Sequence, residues 1–178
     1  NALYYGREEP LPPRVRLRAG PLSLVYEAGD LRYIRLGEAE VLRRVYVAVR
    51  DRNWGTVPAV LSDVSILRRS DSFEISFDAR RREGEADFFW RGRLTGDPDG
   101  TITYSMAGEA LTGFLKNRIG LCVLHPMAVA GGPCVVEHVD GSVEEGAFPR
   151  HIAPHQPFLE IRAIRHRVAE GMWADVRL

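Results

Sequence analysis

The chain is predicted to be all-β, an antiparallel β-sandwich of about a dozen short strands with little helix. Three observations predict it. Apolar residues recur at every second position in one short run after another. Clusters of Gly, Pro, Asp and Ser separate those runs at close intervals. No long stretch carries the apolar spacing of an amphipathic helix.

The elements follow in order. Residues 1–13 contain Pro10, Pro12 and Pro13 and read as an extended arm, with Asn1-Ala2 a candidate tag remnant. Residues 14–178 read as a single sandwich domain. Val15–Arg18 and Leu22–Glu27 alternate on either side of Gly20-Pro21, and Gly29-Asp30 turns the chain into Leu31–Leu36. Val41–Val49 is a longer strand, its valines sharing a face; Glu38–Arg44 is a helix alternative that the valine run disfavours. Ala59–Leu67 and Phe73–Arg80 pair around Ser70-Asp71-Ser72, with Phe73, Ile75 and Phe77 facing one way. Arg80–Glu85 reads as a solvated polar turn. Phe88–Thr95 and Thr101–Ala107 flank Gly96-Asp97-Pro98-Asp99-Gly100, where Pro fixes φ and Gly tolerates a positive one. Leu159–Ile164 and Met172–Leu178 close the chain around Ala169-Glu170-Gly171. The last of these reads as a strand in progress, so a fragment of a longer protein is expected.

Composition excludes several classes. Lysines plus arginines number 24 and acids 24, giving no net charge to steer nucleic acid or an anionic membrane. No apolar run approaches the ~20 residues of a membrane span, and no signal-peptide pattern opens the chain. A cytoplasmic protein is therefore expected. Cys122 and Cys134 are read as reduced and unbridged, with Cys122 inaccessible in its apolar run. Two cysteines make no zinc site, and neither metal nor cofactor is expected.

The chain is organised around Gly113–Phe158, which holds His125, His138, His151 and His155. Within it, Ile119–Leu124 is expected to be a buried strand, with Ile119, Leu121 and Val123 on one buried face. Pro133–Val139 is a second strand. Three X-Pro steps, ending at Pro149, Pro154 and Pro157, then keep the backbone extended.

The motifs NRIGLCVLHP (Asn117–Pro126), EHVDGSVEEGAFPRHIAPHQPF (Glu137–Phe158), LRYIRLG (Leu31–Gly37) and VRDRNWGT (Val49–Thr56) resemble the amino-terminal region of the D-apionate lactonase family. The similarity runs along nearly the whole chain. It implies a β-sandwich module that precedes a (β/α)-barrel and a further β domain. It also implies a parent enzyme that opens the lactone of a branched sugar acid with water. It brings no catalytic residue to this module.

The residues themselves leave alternatives open. Glu137, His138 and Asp140 are the catalytic candidates: His138 and Asp140 share a strand face and can orient each other or a sugar hydroxyl, or they merely end a strand at a Val-Asp-Gly-Ser turn. Asn117 and Arg118 precede the buried strand. Arg118 can clamp a carboxylate, or pair with Asp140 or Glu144. His125, Arg150, His151 and His155 are ligand or domain-interface candidates. Trp54 is read as a half-buried core residue, or as a platform for a sugar face. No GxSxG turn or activated thiol marks a nucleophile. The expected function is thus a structural or substrate-flanking module of a lactonase, its partners a barrel domain of the same chain and a small sugar-acid lactone. The rivals are a stand-alone enzyme of mutarotase type and a carbohydrate-binding module.

Overall fold

The computed structural model describes residues 8, 10–56, 59–151 and 156–178. The expected arm falls mostly outside that set, as does the reading of Asn1-Ala2; residues 10–13 form no regular element. The described residues form thirteen strands. They are β1 (Arg14–Ala19), β2 (Leu22–Glu27), β3 (Asp30–Leu36), β4 (Ala39–Asp51), β5 (Ala59–Arg68), β6 (Phe73–Glu83), β7 (Ala86–Gly96), β8 (Ile102–Ala110), β9 (Lys116–Leu124), β10 (Pro133–His138), β11 (Val143–Ala147), β12 (Ile161–Ala169) and β13 (Met172–Arg177). A 3-10 turn, Met127–Val129, lies between β9 and β10. The helix alternative at Glu38–Arg44 is not taken; Ala39–Arg44 open β4.

Three antiparallel sheets result, ordered β1-β2-β3-β4-β9, β5-β6-β7-β8 and β11-β10-β12-β13. The first two form the sandwich. Leu17, Leu24, Leu31, Ile34, Val47 and Val49 from one sheet meet Phe73, Ile75, Phe77, Phe88, Trp90 and Leu94 from the other in one core. The period-2 pattern of β6 places Phe73, Ile75, Phe77 and Ala79 inward. Phe73 lies opposite Gly96 and Phe77 opposite Gly92 on β7. A Cβ added to Gly96 would stand 2.1 Å from the Phe73 ring, and one at Gly92 2.4 Å from the Phe77 ring. Each glycine is therefore the seat of the ring across from it.

The expected polar turn at Arg80–Glu85 is shorter than read. β6 runs on to Glu83, and Gly84-Glu85 alone reverse the chain. The alternation therefore carries Arg81 inward, only 8% exposed, where Nη2 donates to the Val47 carbonyl at 3.1 Å. Its outward neighbour Arg80 holds Asp87 through two hydrogen bonds.

At one corner, three turns meet. Gly20 has φ +51°, and its N–H donates to Asp71 O at 2.8 Å. A Cβ there would stand 2.1 Å from the Pro98 carbonyl oxygen, so the β1–β2 turn touches the β7–β8 turn backbone to backbone.

β9 corrects an expectation. Among the described residues it is the outer strand of its sheet, paired only with β4. Ile119 and Val123 are half-buried against the core, but Leu121 is 37% exposed. The inward face looks into an apolar cleft of about 350 Å³ instead of into packed core. Ile34, Val41, Leu121 and Val123 line one side, and Trp173 and Val176 of β13 the other. The opposite sheet has its own outer strand, β5, with Val60 and Ile66 exposed. A bulge between Ser62 and Ser65 interrupts its pairing with β6, and Asp63 within it has φ +51°.

The third sheet buries Cys134, Val136, Ala163 and His166. Its strand β11 was not foreseen, because Val-Glu-Glu-Gly-Ala shows little alternation. β12 begins at Ile161, not Leu159; Glu160, with φ +50°, breaks the run first.

Candidate functional site

The stretch Gly113–Phe158 carries the chain from the first sheet, through β9, to β10 and β11 of the third. The residues singled out along it do not converge. Arg118 and His125 are seven positions apart along β9 and its exit, roughly 23 Å in extended chain.

His125 follows the last residue of β9. Its ring lies 4.6 Å from Phe148 and 4.8 Å from His166, centroid to centroid, the two imidazoles edge to face. Phe148 and His166 are 5.5 Å apart, closing a triangle of rings. Reciprocal backbone bonds, Phe148 N–H to Gly132 O and Gly131 N–H to Phe148 O, fix the Phe148 segment. His166 is fully buried on β12, opposite Cys134. Neither of its ring nitrogens, nor Nδ1 of His125, has a hydrogen-bond partner among the described residues. The Val41 carbonyl lies near enough to His166 to favour its cation, but outside hydrogen-bonding geometry. Burial dominates and lowers the His166 pKa. Burial, and secondarily His166, pushes His125 down to about 4. Both rings are thus neutral at physiological pH and pack as aromatics where the first and third sheets meet.

His166 escaped the sequence reading. The signal was present in Arg165-His166-Arg167, where period 2 sends the histidine to the face opposite its charged neighbours.

The ring cluster predicts a pH dependence. The unfolded chain binds more protons than the native one between the ordinary histidine value, 6.5, and about 4. Stability is then full above that window and falls as pH drops through it, by roughly 2–3 kcal/mol for His125. Thermal melts from pH 7.5 to 4 should show the loss, and His125→Phe should flatten it relative to the carboxylate background. An unchanged slope in that variant would refute the assignment.

Glu137, His138 and Asp140 have structural partners. Glu137 faces Arg162 at 3.4 Å. His138 Nδ1 is 2.8 Å from the Leu159 carbonyl, so it carries the proton, and Nε2 is 3.4 Å from Glu144. Asp140 accepts from the amide and hydroxyl of Ser142 at 2.8 and 2.6 Å. The hydroxyl bond is the first cause of its lowered pKa. A register shift between Glu137 and His138 breaks the strict alternation that would set His138 and Asp140 side by side. Asp140 and Ser142 thus form a polar turn after β10.

Arg118 pairs with neither Asp140 nor Glu144. Its guanidinium lies over the Trp54 ring, 5.4 Å from the centroid. Trp54 is itself 56% exposed, not a half-buried core residue, because it sits in the turn after β4. Asn117 is half-buried on β9. The Arg150 side chain packs beside Gly131, and His151 is exposed. His155 lies outside the described residues. Among the described residues, no group of three or more His, Cys, Asp or Glu is arranged to hold a metal ion.

Both cysteines are free. Cys122, expected to be inaccessible, is only half-buried, since β9 is an outer strand; Cys134 is buried. Burial, and secondarily Glu144, raises the Cys134 pKa. No helix among the described residues is long and apolar enough to cross a membrane.

A two-sheet sandwich with a third sheet beside it, an apolar cleft between, and polar residues tied into turns defines an all-β module. A family model described as D-apionate lactonase, N-terminal domain, matches residues 2–178. The chain is 38% identical, over an alignment of 183 residues, to a D-apionate lactonase of Brucella anthropi. That alignment covers 99% of this chain and 29% of the relative, so the chain spans less than a third of the relative's length. The chain belongs to the D-apionate lactonase N-terminal domain family. No solved structure matches it.

Proposed function

We propose that the chain is the amino-terminal module of a longer cytoplasmic hydrolase that opens the lactone of a branched sugar acid in apionate breakdown. Its own role is structural or substrate-flanking, exercised by docking on a catalytic barrel of the same protein. The apolar cleft carries this reading. Its walls include exposed Leu121, Trp173 and Leu178, and some 70% of the relative's length is available to cover them. Lactone opening needs an activated water, an oxyanion donor and an acid in one pocket. Glu137, His138, Asp140 and Glu144 instead hold one another or their neighbours at the β10–β11 end of the third sheet, and His125 and His166 pack as rings apart from them.

The stand-alone enzyme asks for a His–Glu pair in a pocket. His138 and Glu144 are such a pair, but neither lines the apolar cleft. The purified 178-residue chain is expected to give no lactone turnover above background, read as proton release at constant pH. Turnover abolished by His138→Ala would overturn the docking reading in favour of the enzyme.

A further inference from the structure

The turn after β4 is built to present an indole to solvent. Asp51 closes it: Oδ1 accepts from the amides of Asn53 and Gly55, both at 2.8 Å, and the Asp51 carbonyl accepts from Trp54 N–H at 3.1 Å. A Cβ at Gly55 would stand 2.7 Å from Oδ2 of Asp51, so a side chain there would push on the carboxylate that closes the turn. Trp54 is held at φ +65°, a conformation unfavourable for a residue with a Cβ, and is 56% exposed. Neither feature stabilises the sandwich, whose core excludes this residue.

Around the indole the charge is one-sided. Arg50 and Arg118 are directly opposed across β4 and β9, a like-charge pairing that destabilises a sheet. Lys116 and Arg52 flank them. None of the four makes an ion pair among the described residues, whereas Arg43 and Arg44 on β4, and Arg91 on β7, face carboxylates. The one acid in the two segments, Asp51, is committed to the turn. Arg50 is engaged with Thr56 Oγ1. Among the described residues Arg118 has no hydrogen-bond partner; the ring beneath orients it and leaves its N–H fork pointing away from them.

The geometry points to a binding subsite for carboxylate-bearing polyols, that is, open-chain sugar acids. The Arg118 fork takes the carboxylate, and the carbon chain lies against Trp54. A bound anion also relieves the Arg50–Arg118 repulsion. The choice of sugar acid over another small anion rests on the lactonase reading; the positive, aromatic character of the site does not.

The test is a titration of the 178-residue chain at constant ionic strength, followed by the Trp54 indole N–H resonance. D-Gluconate should shift it saturably at millimolar concentration. D-Glucitol, its neutral analogue, and acetate should leave it in place. Arg118→Gln should weaken gluconate about tenfold, the loss expected for a charge-assisted contact. Trp54→Phe, which keeps a stacking ring, should retain binding read through the Arg118 side-chain resonance. No shift with gluconate, an equal response to glucitol, or an equal response to acetate each overturns the proposal. None of these outcomes bears on the lactone assay, so the two readings fail separately.

Discussion

Phe73→Ala is expected to lower folding stability by about 3–5 kcal/mol, the range for removing a buried aromatic. Phe73 is 2% exposed in the centre of the sandwich, and its ring occupies the space over Gly96. Truncation removes the ring's contacts and leaves a glycine with nothing across from it, so collapse of the site is poor. Urea unfolding reads the change as a shift in midpoint. Leu67→Ala, at a residue 47% exposed on β5, should change stability by no more than about 0.5 kcal/mol. The pairing has a second signature. Gly96→Ala should destabilise on its own because its methyl meets the Phe73 ring, and Phe73→Leu should recover part of that loss. A Phe73→Ala penalty no larger than that of Leu67→Ala, or strict additivity of the Gly96 and Phe73 changes, would contradict the seat-and-ring arrangement.

Gly20→Ala is expected to remove about 2–5 kcal/mol. Left-handed backbone costs a residue with a Cβ roughly 1–2 kcal/mol, and forcing a methyl into packed structure adds about 1–3. The obstacle is the Pro98 carbonyl, which is backbone and cannot rotate aside. Gly37 separates the two contributions. It has φ +57° with nothing within 4 Å of its would-be Cβ, so Gly37→Ala should cost only the backbone part. Equal losses at the two positions would show that the corner yields easily.

Much of the sandwich was legible because its strands obey period 2 and its turns use residues with fixed conformational preferences. The Gly96–Gly100 turn forms as read, with Asp97 N–H on Thr101 O and Gly100 N–H on Asp97 O. What local pattern does not carry is a strand's place in its sheet. Ile119–Leu124 is as apolar as a buried strand, yet it ends its sheet and leaves Leu121 in an open cleft. The same gap hid the third sheet, where β10 pairs past the weakly alternating β11 with β12 instead of with its neighbour alone. At the site, the histidines of the central stretch drew attention by their density. The one that completes the ring cluster, His166, lies outside that stretch between two arginines. Trp54 was misjudged because an aromatic residue more often fills a core than crowns a turn.

In concentrated solution, an outer strand such as β5 is a place where copies of a β protein can pair. Among the described residues the outer edge of β5 has no strand partner, and Val60, Val64, Ile66 and Leu67 are exposed along it. The interruption between Ser62 and Ser65 divides that edge into two short lengths set out of step, with the charge of Asp63 at the break. A second copy can align with one length but not with both, so strand-to-strand growth stalls after a few hydrogen bonds. The irregularity in β5 thereby acts as a colloidal safeguard, keeping an otherwise adhesive edge from templating fibres.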